Sequence, residues 1–373
     1  SCKRIGFHNV AHKVRMVCLQ AMTTGGTISI LLQVSILLGA LVLAFRPSVG
    51  IPPVHVSGHR HANLVMSTSA NSKIGPRKAM FFDIVESGLN DRFQKADISR
   101  VFKFCEYAKL EIDPPKAQGD MHDPCEEFID DLTASAWWDS SKFPWVEELQ
   151  NRSPEIREEL EEVLSGQELF VGDSRYQQTM GKGWTALRLQ RLGEWNKQNM
   201  ALFPRTTEIV QSLDIPLAVR GVMFAKQLPG SGVQPHSDGR NFILTAHLGL
   251  DIPSQGCWIS VAGDRRPWQQ DKVIVFDTSF THETGNESEA DRYVLIIDFW
   301  HPDLTLPERQ ALQFIYDCRN KFDAGRAQDI ECSYIAEGRP IDVKEYLKEK
   351  RTFGENLANF FSGGGLIKFN PLS

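Results

Sequence analysis

A histidine and an aspartate two residues apart, His236 and Asp238, form the pattern in this chain that is best suited to chemistry. Side chains at positions i and i+2 of an extended segment point to the same side, so this imidazole and carboxylate converge on one point. A second histidine, His282, follows the first by 46 residues, just after an apolar segment. Two histidines and one carboxylate on one face leave three coordination positions open, as in non-haem Fe(II) oxygenases. The sequence therefore predicts that His236, Asp238 and His282 bind Fe(II), and no HExxH-type motif favours a zinc hydrolase instead.

A candidate anion-binding residue, Arg292, begins an apolar segment ten residues after His282. In a strand, Arg292, Val294 and Ile296 share one face. A guanidinium that faces a barrel interior is unfavourable unless an anion pairs with it, and a dicarboxylate cosubstrate would supply that anion. The alternative is a surface arginine at the end of a strand, and the spacing alone leaves both open.

The composition is that of a globular protein, with 373 residues, 42% hydrophobic and 24% charged. The net charge of −6 argues against a nucleic-acid partner, which would favour a basic surface. The seven cysteines are scattered and never form a CxxC pair, which argues against a disulfide framework and a zinc–thiolate site.

The first 82 residues differ from the rest, because they contain no Asp or Glu and nine Lys or Arg. Residues 28–45 are apolar and lie at the lower limit for a membrane span and near the upper limit for a signal sequence. We interpret residues 1–80 as a targeting presequence with a flexible linker after the apolar segment. A two-part plastid transit peptide and a signal anchor of the secretory pathway fit equally well. The expected location is therefore an organelle or a membrane, with membrane association through 28–45.

The hydrophobic pattern divides the remainder into three parts. Residues 81–182 have a mostly helical period. Residues 183–305 switch to a period of two, with turn clusters between the segments. The predicted strands are 217–227, 241–250, 257–261, 272–276 and 292–299, and no helix is expected between residues 184 and 299. This pattern favours an antiparallel sandwich or barrel. Thr305 and Glu308 form a capping box that begins a C-terminal helix, followed by a tail within 306–373.

Three segments resemble the signature blocks of the aspartyl/asparaginyl β-hydroxylase family, and most closely those of its plant and algal members. They are PHSDGRNFILTAHLGL (235–250), FDTSFTHETGN (276–286) and RYVLIIDFWHPDLT (292–305). The resemblance implies a 2-oxoglutarate- and Fe(II)-dependent oxygenase. It also implies a mainly β catalytic domain of the double-stranded β-helix type (jelly roll, cupin-like) with flanking α-helices.

The same resemblance assigns roles to individual residues. His236 and His282 match the iron-binding histidines of the family. Arg292 matches the arginine that binds the distal carboxylate of 2-oxoglutarate, and His247 matches a histidine that also contacts this cosubstrate. The resemblance thus implies Fe(II) and 2-oxoglutarate as cofactor and cosubstrate.

The chain also departs from the animal members it resembles. Those enzymes have glycine at the position of Asp238 and bind iron through two histidines only. Ala225 and Thr245 stand where they have a serine that contacts the cosubstrate and an arginine near the substrate. The metal and cosubstrate chemistry therefore transfers, whereas the identity of the substrate does not.

The expected activity is hydroxylation of a C–H bond, in Asp or Asn side chains of a protein or peptide. One alternative is hydroxylation of a lipid acyl chain or a small molecule. Another is a β-barrel that binds a metal or ligand without turnover, which the complete set of predicted site residues disfavours.

Overall fold

The computed structural model describes residues 74–113, 125, 127–166, 169–170, 181 and 183–339. Most of the predicted presequence, including the apolar segment 28–45, and the predicted tail beyond residue 339 lie outside these residues. Within the described ranges, no helix has both the length and the apolar character needed to cross a bilayer.

Short strands occupy the middle of the chain, where the apolar residues alternate with a period of two. In chain order the described residues form β1 (Trp137–Trp138), β2 (Trp184–Arg191), β3 (Glu194–Trp195), β4 (Leu217–Gln227), β5 (Ser231–His236), β6 (Ile243–Asp251), β7 (Cys257–Val261), β8 (Asp264–Pro267), β9 (Val273–Asp277), β10 (His282–Asn286) and β11 (Arg292–Trp300). The segments predicted at 217–227 and 257–261 coincide with β4 and β7, and the other three predicted segments overlap β6, β9 and β11.

The strands form two antiparallel sheets that pack face to face. The larger sheet has the order β1-β9-β6-β11-β4-β2-β3, and the smaller has the order β5-β10-β7-β8. Inner-face residues of both sheets share one core, which includes Met223, Val233, Ile259 and Val294. Two antiparallel sheets with this interleaved order are the double-stranded β-helix, or jelly roll. The predicted fold class is therefore confirmed.

Helices surround the outer side of the larger sheet. In chain order they are α1 (Pro76–Arg92), α2 (Ser99–Ala108), α3 (Trp145–Asn151), α4 (Ser153–Gly166), α5 (Lys197–Leu202), α6 (Pro204–Ser212), α7 (Leu306–Asp323) and α8 (Ser333–Ala336). The expectation that no helix interrupts the strand region was wrong, because α5 and α6 lie between β3 and β4. Asn196 caps α5, and Pro204 occupies the first turn of α6, so local signals for both helices are present in the sequence.

Two hydrophobic clusters attach these helices to the sheet. Helices α3, α4 and α6 pack with the outward-facing residues of β4 and β11, such as Phe224 and Leu295. Helices α1, α2 and α7 form the other cluster together with Phe242 and Trp300. The predicted capping box of α7 is present, since the Thr305 hydroxyl accepts from the Glu308 amide and the Glu308 carboxylate accepts from the Thr305 amide.

Candidate metal centre

His236 and His282 face each other on neighbouring strands. His236 ends β5 and His282 begins β10, and the two residues are direct Cα partners in this antiparallel pair. Their ring centroids lie 4.2 Å apart. Strand pairing thus brings together two histidines that are distant in sequence.

Backbone carbonyls determine which ring nitrogen of each histidine is available. Nδ1 of His236 lies 2.8 Å from the Gln234 carbonyl oxygen, and Nδ1 of His282 lies 2.9 Å from that of Phe280. Because a carbonyl can only accept a hydrogen bond, both Nδ1 atoms donate, and in a neutral ring Nε2 then keeps its lone pair. His236 Nε2 is buried and has no hydrogen-bond partner. This is the usual arrangement of metal-binding histidines.

Asp238 completes the cluster. Its Oδ1 lies 4.0 Å from His236 Nε2, and the candidate ligand atoms of His236, Asp238 and His282 all lie within 4.8 Å of one another. Burial raises the pKa of Asp238, but the nearby Arg220 guanidinium outweighs it and holds this pKa well below its ordinary value. Burial and the adjacent His236 lower the pKa of His282 to about 4. A carboxylate and a neutral imidazole are the states in which these groups bind metals.

Arg220 also belongs to the cluster, although it is not among the site residues predicted from the sequence. Its Nη1 donates to Asp238 Oδ2, and its Nε lies 3.2 Å from Asp298 Oδ2. The Thr245 hydroxyl donates to the other oxygen of Asp298 at 2.6 Å. Thr245 therefore supports a buried carboxylate.

Arg292 lies on the inner face of β11, and its side chain is buried together with Trp268 and Gln227. Its residue exposure is 1%, its Nη2 donates to Gln227 Oε1, and its guanidinium lies 4.3 Å from the centre of the Trp268 ring. Its Nε has no hydrogen-bond partner, and no carboxylate of the described residues forms an ion pair with it. Burial lowers its pKa to about 10. A buried cation of this kind fits an anionic ligand.

His247 lies between Arg292 and the histidine pair. Its ring is parallel to Trp268 within 11° at 6.0 Å and meets Phe276 edge-on at 4.8 Å, and Phe276 in turn lies 6.2 Å from His282. Burial, followed by the charge of Arg292, lowers the pKa of His247 well below its ordinary value, and its Nδ1 has no hydrogen-bond partner. The unpartnered nitrogens of His247 and Arg292 suit a polar ligand that extends from the metal cluster to the arginine.

His301, the fourth histidine of this region, has a structural position. It is fully buried, its Nε2 lies 3.0 Å from the Thr133 carbonyl oxygen, and its Nδ1 accepts from the Asp303 amide. Trp138 packs edge-on against the ring at 5.1 Å. His301 therefore links β1 to the end of β11.

The fold is a double-stranded β-helix, and two histidines and a carboxylate converge in it beside a buried arginine. These features place the chain in a class of jelly-roll proteins with a candidate metal centre. Within that class, residues 150–302 match the family model described as Aspartyl/Asparaginyl beta-hydroxylase. This match confirms the family resemblance predicted from the motifs. The predicted closeness to plant and algal members stays a prediction.

Two relatives that are similar in sequence have names that state different substrates. The mouse "Aspartyl/asparaginyl beta-hydroxylase" is 30% identical over 193 residues, which are 50% of this chain and 26% of the relative. The "Ornithine lipid ester-linked acyl 2-hydroxylase" of Rhizobium tropici is 31% identical over 172 residues, which are 44% of this chain and 60% of the relative. The crystal structure of a Pseudomonas putida prolyl-4-hydroxylase matches with a TM-score of 0.28 at 16% identity, over 46% of this chain and 95% of that chain. The chain thus spans less than two thirds of the length of these two sequence relatives.

Proposed function

We propose that this protein is a 2-oxoglutarate- and Fe(II)-dependent dioxygenase that hydroxylates a C–H bond. The observation that supports this most is the buried Arg292, which has no carboxylate partner among the described residues. A series of ring contacts through Trp268, His247 and Phe276 connects it to His282 of the candidate metal cluster. A metal site alone would not need a buried cation at this place. A ligand with two carboxylates explains both.

The residues present fit both groups. His236 and His282 would bind Fe(II) through Nε2, and Asp238 through a carboxylate oxygen, which leaves positions for the cosubstrate and O₂. When bound, Fe(II) and 2-oxoglutarate would supply the oxidising chemistry: O₂ is consumed, one oxygen atom enters succinate as 2-oxoglutarate loses CO₂, and the other converts the substrate C–H to C–OH.

The chain's own residues would position the reactants and exclude water. Arg292 would bind the distal carboxylate of 2-oxoglutarate in a site where Trp268 covers one face of the guanidinium and Gln227 orients it. His247, neutral because its pKa is lowered, would offer a hydrogen bond without adding a second charge. The apolar inner core would keep bulk water from the reacting atoms.

As substrate we propose Asp or Asn side chains in a protein or peptide, which is what the name of the mouse relative indicates. A lipid acyl chain is the second candidate, because the chain covers 60% of the Rhizobium acyl hydroxylase but only 26% of the mouse relative. A barrel that binds a metal or ligand without turnover is the third reading. These three possibilities differ in which substrate, if any, the protein hydroxylates.

The test is succinate formation by the full chain with Fe(II) and 2-oxoglutarate, in the presence of Asp- and Asn-containing peptides or of acyl lipids. We expect one of these pools to increase succinate formation and to gain one oxygen atom by mass spectrometry. His282→Ala serves as the inactive control, and Lys226→Gln serves as a matched surface control, since Lys226 pairs with the partly exposed Asp291. Succinate formation that is equal in the unmodified chain and in His282→Ala, with every pool, would contradict an enzymatic function.

A further inference from the structure

Arg220 is held between two buried carboxylates. Its side chain is 18% exposed, whereas those of Asp238 and Asp298 are 4% and 0% exposed. One guanidinium nitrogen binds Asp238 Oδ2 and another lies 3.2 Å from Asp298 Oδ2. The guanidinium therefore has a fixed orientation with respect to both carboxylates.

An irregularity in β4 places Arg220 at this point. Five residue steps separate Leu217 from Val222 in β4, whereas two steps separate their partners Phe299 and Ile297 in β11. The extra residues of β4 lie opposite Asp298. Gly221, with φ +76°, makes this detour possible, since an L side chain there would be strained and its Cβ would collide with Gln190.

Neighbouring groups hold the arrangement in place. The Thr245 hydroxyl donates to Asp298 Oδ1 at 2.6 Å, and Arg188 Nη1 donates to the Arg220 carbonyl oxygen at 3.2 Å. On the other side, the Asp238 amide donates to the Thr278 carbonyl oxygen at 2.9 Å, which fixes the backbone of the aspartate. Both ends of the Arg220–Asp238 contact are thus anchored, Arg220 by residues of the larger sheet and Asp238 by the residue that follows β9.

The consequence concerns the two oxygens of Asp238. Oδ2 is engaged by Arg220, whereas Oδ1 lies 4.0 Å from His236 Nε2, within the ligand cluster. A carboxylate that is free to rotate can bind a metal through one or both oxygens. A carboxylate with one oxygen held by a guanidinium presents only the other.

We propose that Arg220 is a positioning residue that makes Asp238 bind the metal through Oδ1 alone. Arg220 does not touch the metal, and it acts only through Asp238. This inference rests on the metal site of the proposed function. Partners of metal ligands typically change metal affinity by about 10- to 100-fold when they are removed.

The experiment is a Co(II) titration of the full chain, followed by the visible absorption of the bound ion, without cosubstrate. Arg220→Gln and Arg220→Lys are each made with Asp238 present and in an Asp238→Ala background. Lys226→Gln is the matched control, because Lys226 lies on the same strand and also pairs with an aspartate, but outside the cluster. Arg220→Lys keeps a cation and tests the proposal even if Arg220→Gln does not fold.

We expect Arg220→Gln to weaken Co(II) binding about 10- to 100-fold and to change the intensity of the absorption bands, because the coordination by Asp238 changes. Arg220→Lys is expected to give a smaller loss because it keeps a cation, and some loss remains because an ammonium lacks the planar fork that reaches both carboxylates. In the Asp238→Ala background both substitutions are expected to change affinity and spectrum no more than Lys226→Gln does.

Two results would overturn the inference. One is an unchanged affinity and spectrum in both Arg220 variants with Asp238 present. The other is the same loss with and without Asp238, since Arg220 would then act on the fold or the metal directly. A chain that binds no Co(II) before any substitution would instead contradict the proposed function, so the two failures are distinguishable.

Discussion

At the scale of the residue, Asp238 is where chemistry and family resemblance disagree. The animal members resembled by this chain have glycine at this position, whereas here the carboxylate lies within the histidine cluster and is held by Arg220. A buried carboxylate beside two imidazoles favours a divalent cation, which neutralises it. We therefore interpret Asp238 as a third protein ligand.

This interpretation predicts that Asp238→Ala loses much of its Fe(II) affinity, while Asp238→Gly keeps weak turnover by imitating a two-histidine site. The measurement is iron stoichiometry together with succinate formation, with His236→Ala alongside for comparison. Full iron occupancy and unchanged turnover in Asp238→Ala would reduce the ligand set to His236 and His282.

A second prediction at this scale concerns Asp277, which ends β9. It is 1% exposed, and burial raises the pKa of its carboxyl to about 7, although the Ser279 amide and hydroxyl both donate to it. A carboxyl whose pKa is raised on folding stabilises the fold below its unfolded pKa of 3.8, and this stabilisation is lost as pH rises to about 7.

Asp277→Asn removes this titration and keeps an oxygen that can accept from Ser279. Between pH 4 and 7 we expect the unfolding free energy of the unsubstituted protein to fall relative to the variant, by up to about 1.4 kcal/mol per pH unit. Urea unfolding of the metal-free proteins at several pH values measures this difference. A difference that does not depend on pH would show that Asp277 is ionised in the fold throughout this range.

At the scale of the element, the strands that could be predicted are those with a strong apolar alternation. Both β4 and β7 were predicted to the residue because one face of each enters a core. The strands with the metal-cluster histidines, β5 and β10, have the sequences SGVQPH and HETGN, with few apolar residues. Apolar alternation therefore does not predict these two strands. They are defined by pairing with each other and, for β10, also with β7.

The same limit applies to the candidate site. Residue type, spacing and family resemblance were enough to select five site residues: His236, Asp238, His282, His247 and Arg292. Their partners could not be selected in this way, because each contact depends on which strands pair. Gln227 is the cross-strand partner of Arg292 in the β4–β11 register, Trp268 follows the short β8, and Arg220 enters the cluster only through the irregularity at Gly221.

The next prediction concerns the contact between α7 and the loop that follows β5, which contains Asp238 and Arg240. Arg240, two residues after Asp238, lies 3.3 Å from the buried Glu127, which also accepts hydrogen bonds from Tyr316 and Arg319 of α7. Burial raises the pKa of Glu127, but Arg319 and Arg240 outweigh it and lower this pKa to about 2. Helix α7 thus holds the loop through a carboxylate.

Tyr316→Phe removes one donor from this buried charge and is expected to lower the unfolding free energy by about 1.5–3 kcal/mol. Urea unfolding measures the change. Tyr334→Phe is the matched control, because Tyr334 is buried in the same helical cluster. Equal effects of the two substitutions would show that the hydroxyl of Tyr316 contributes no more to stability than that of Tyr334.

At the scale of the whole molecule, the chain combines an acid-free first part with an acidic remainder. Residues 1–82 have nine basic and no acidic residues, whereas residues 83–373 have 32 basic and 47 acidic residues. We propose that the first part directs the protein to an organelle or to the secretory route. A fluorescent fusion of residues 1–82 is expected to reach such a compartment, and a diffuse cytosolic signal would contradict this proposal.

The proposed function requires a cosubstrate that connects the metal cluster to Arg292. Losing a charged bidentate contact in a water-excluded site costs about 2–5 kcal/mol, a factor of tens to thousands in affinity. Lysine at this position is expected to recover only part of the loss, because it lacks the planar fork. Arg292 therefore offers a sharper test than any residue that contacts the metal, since its substitution leaves the metal ligands in place.

The most direct measurement is an anaerobic titration of the Fe(II)-loaded full chain with 2-oxoglutarate, followed by the visible charge-transfer absorption of a 2-oxoacid chelated to Fe(II). It needs no knowledge of the substrate. We expect a saturable band for the unsubstituted chain and, in Arg292→Ala, a half-saturation concentration that is tens to thousands of times higher, with iron affinity little changed. No band in the unsubstituted chain, or equal half-saturation in Arg292→Ala, would contradict the proposed function.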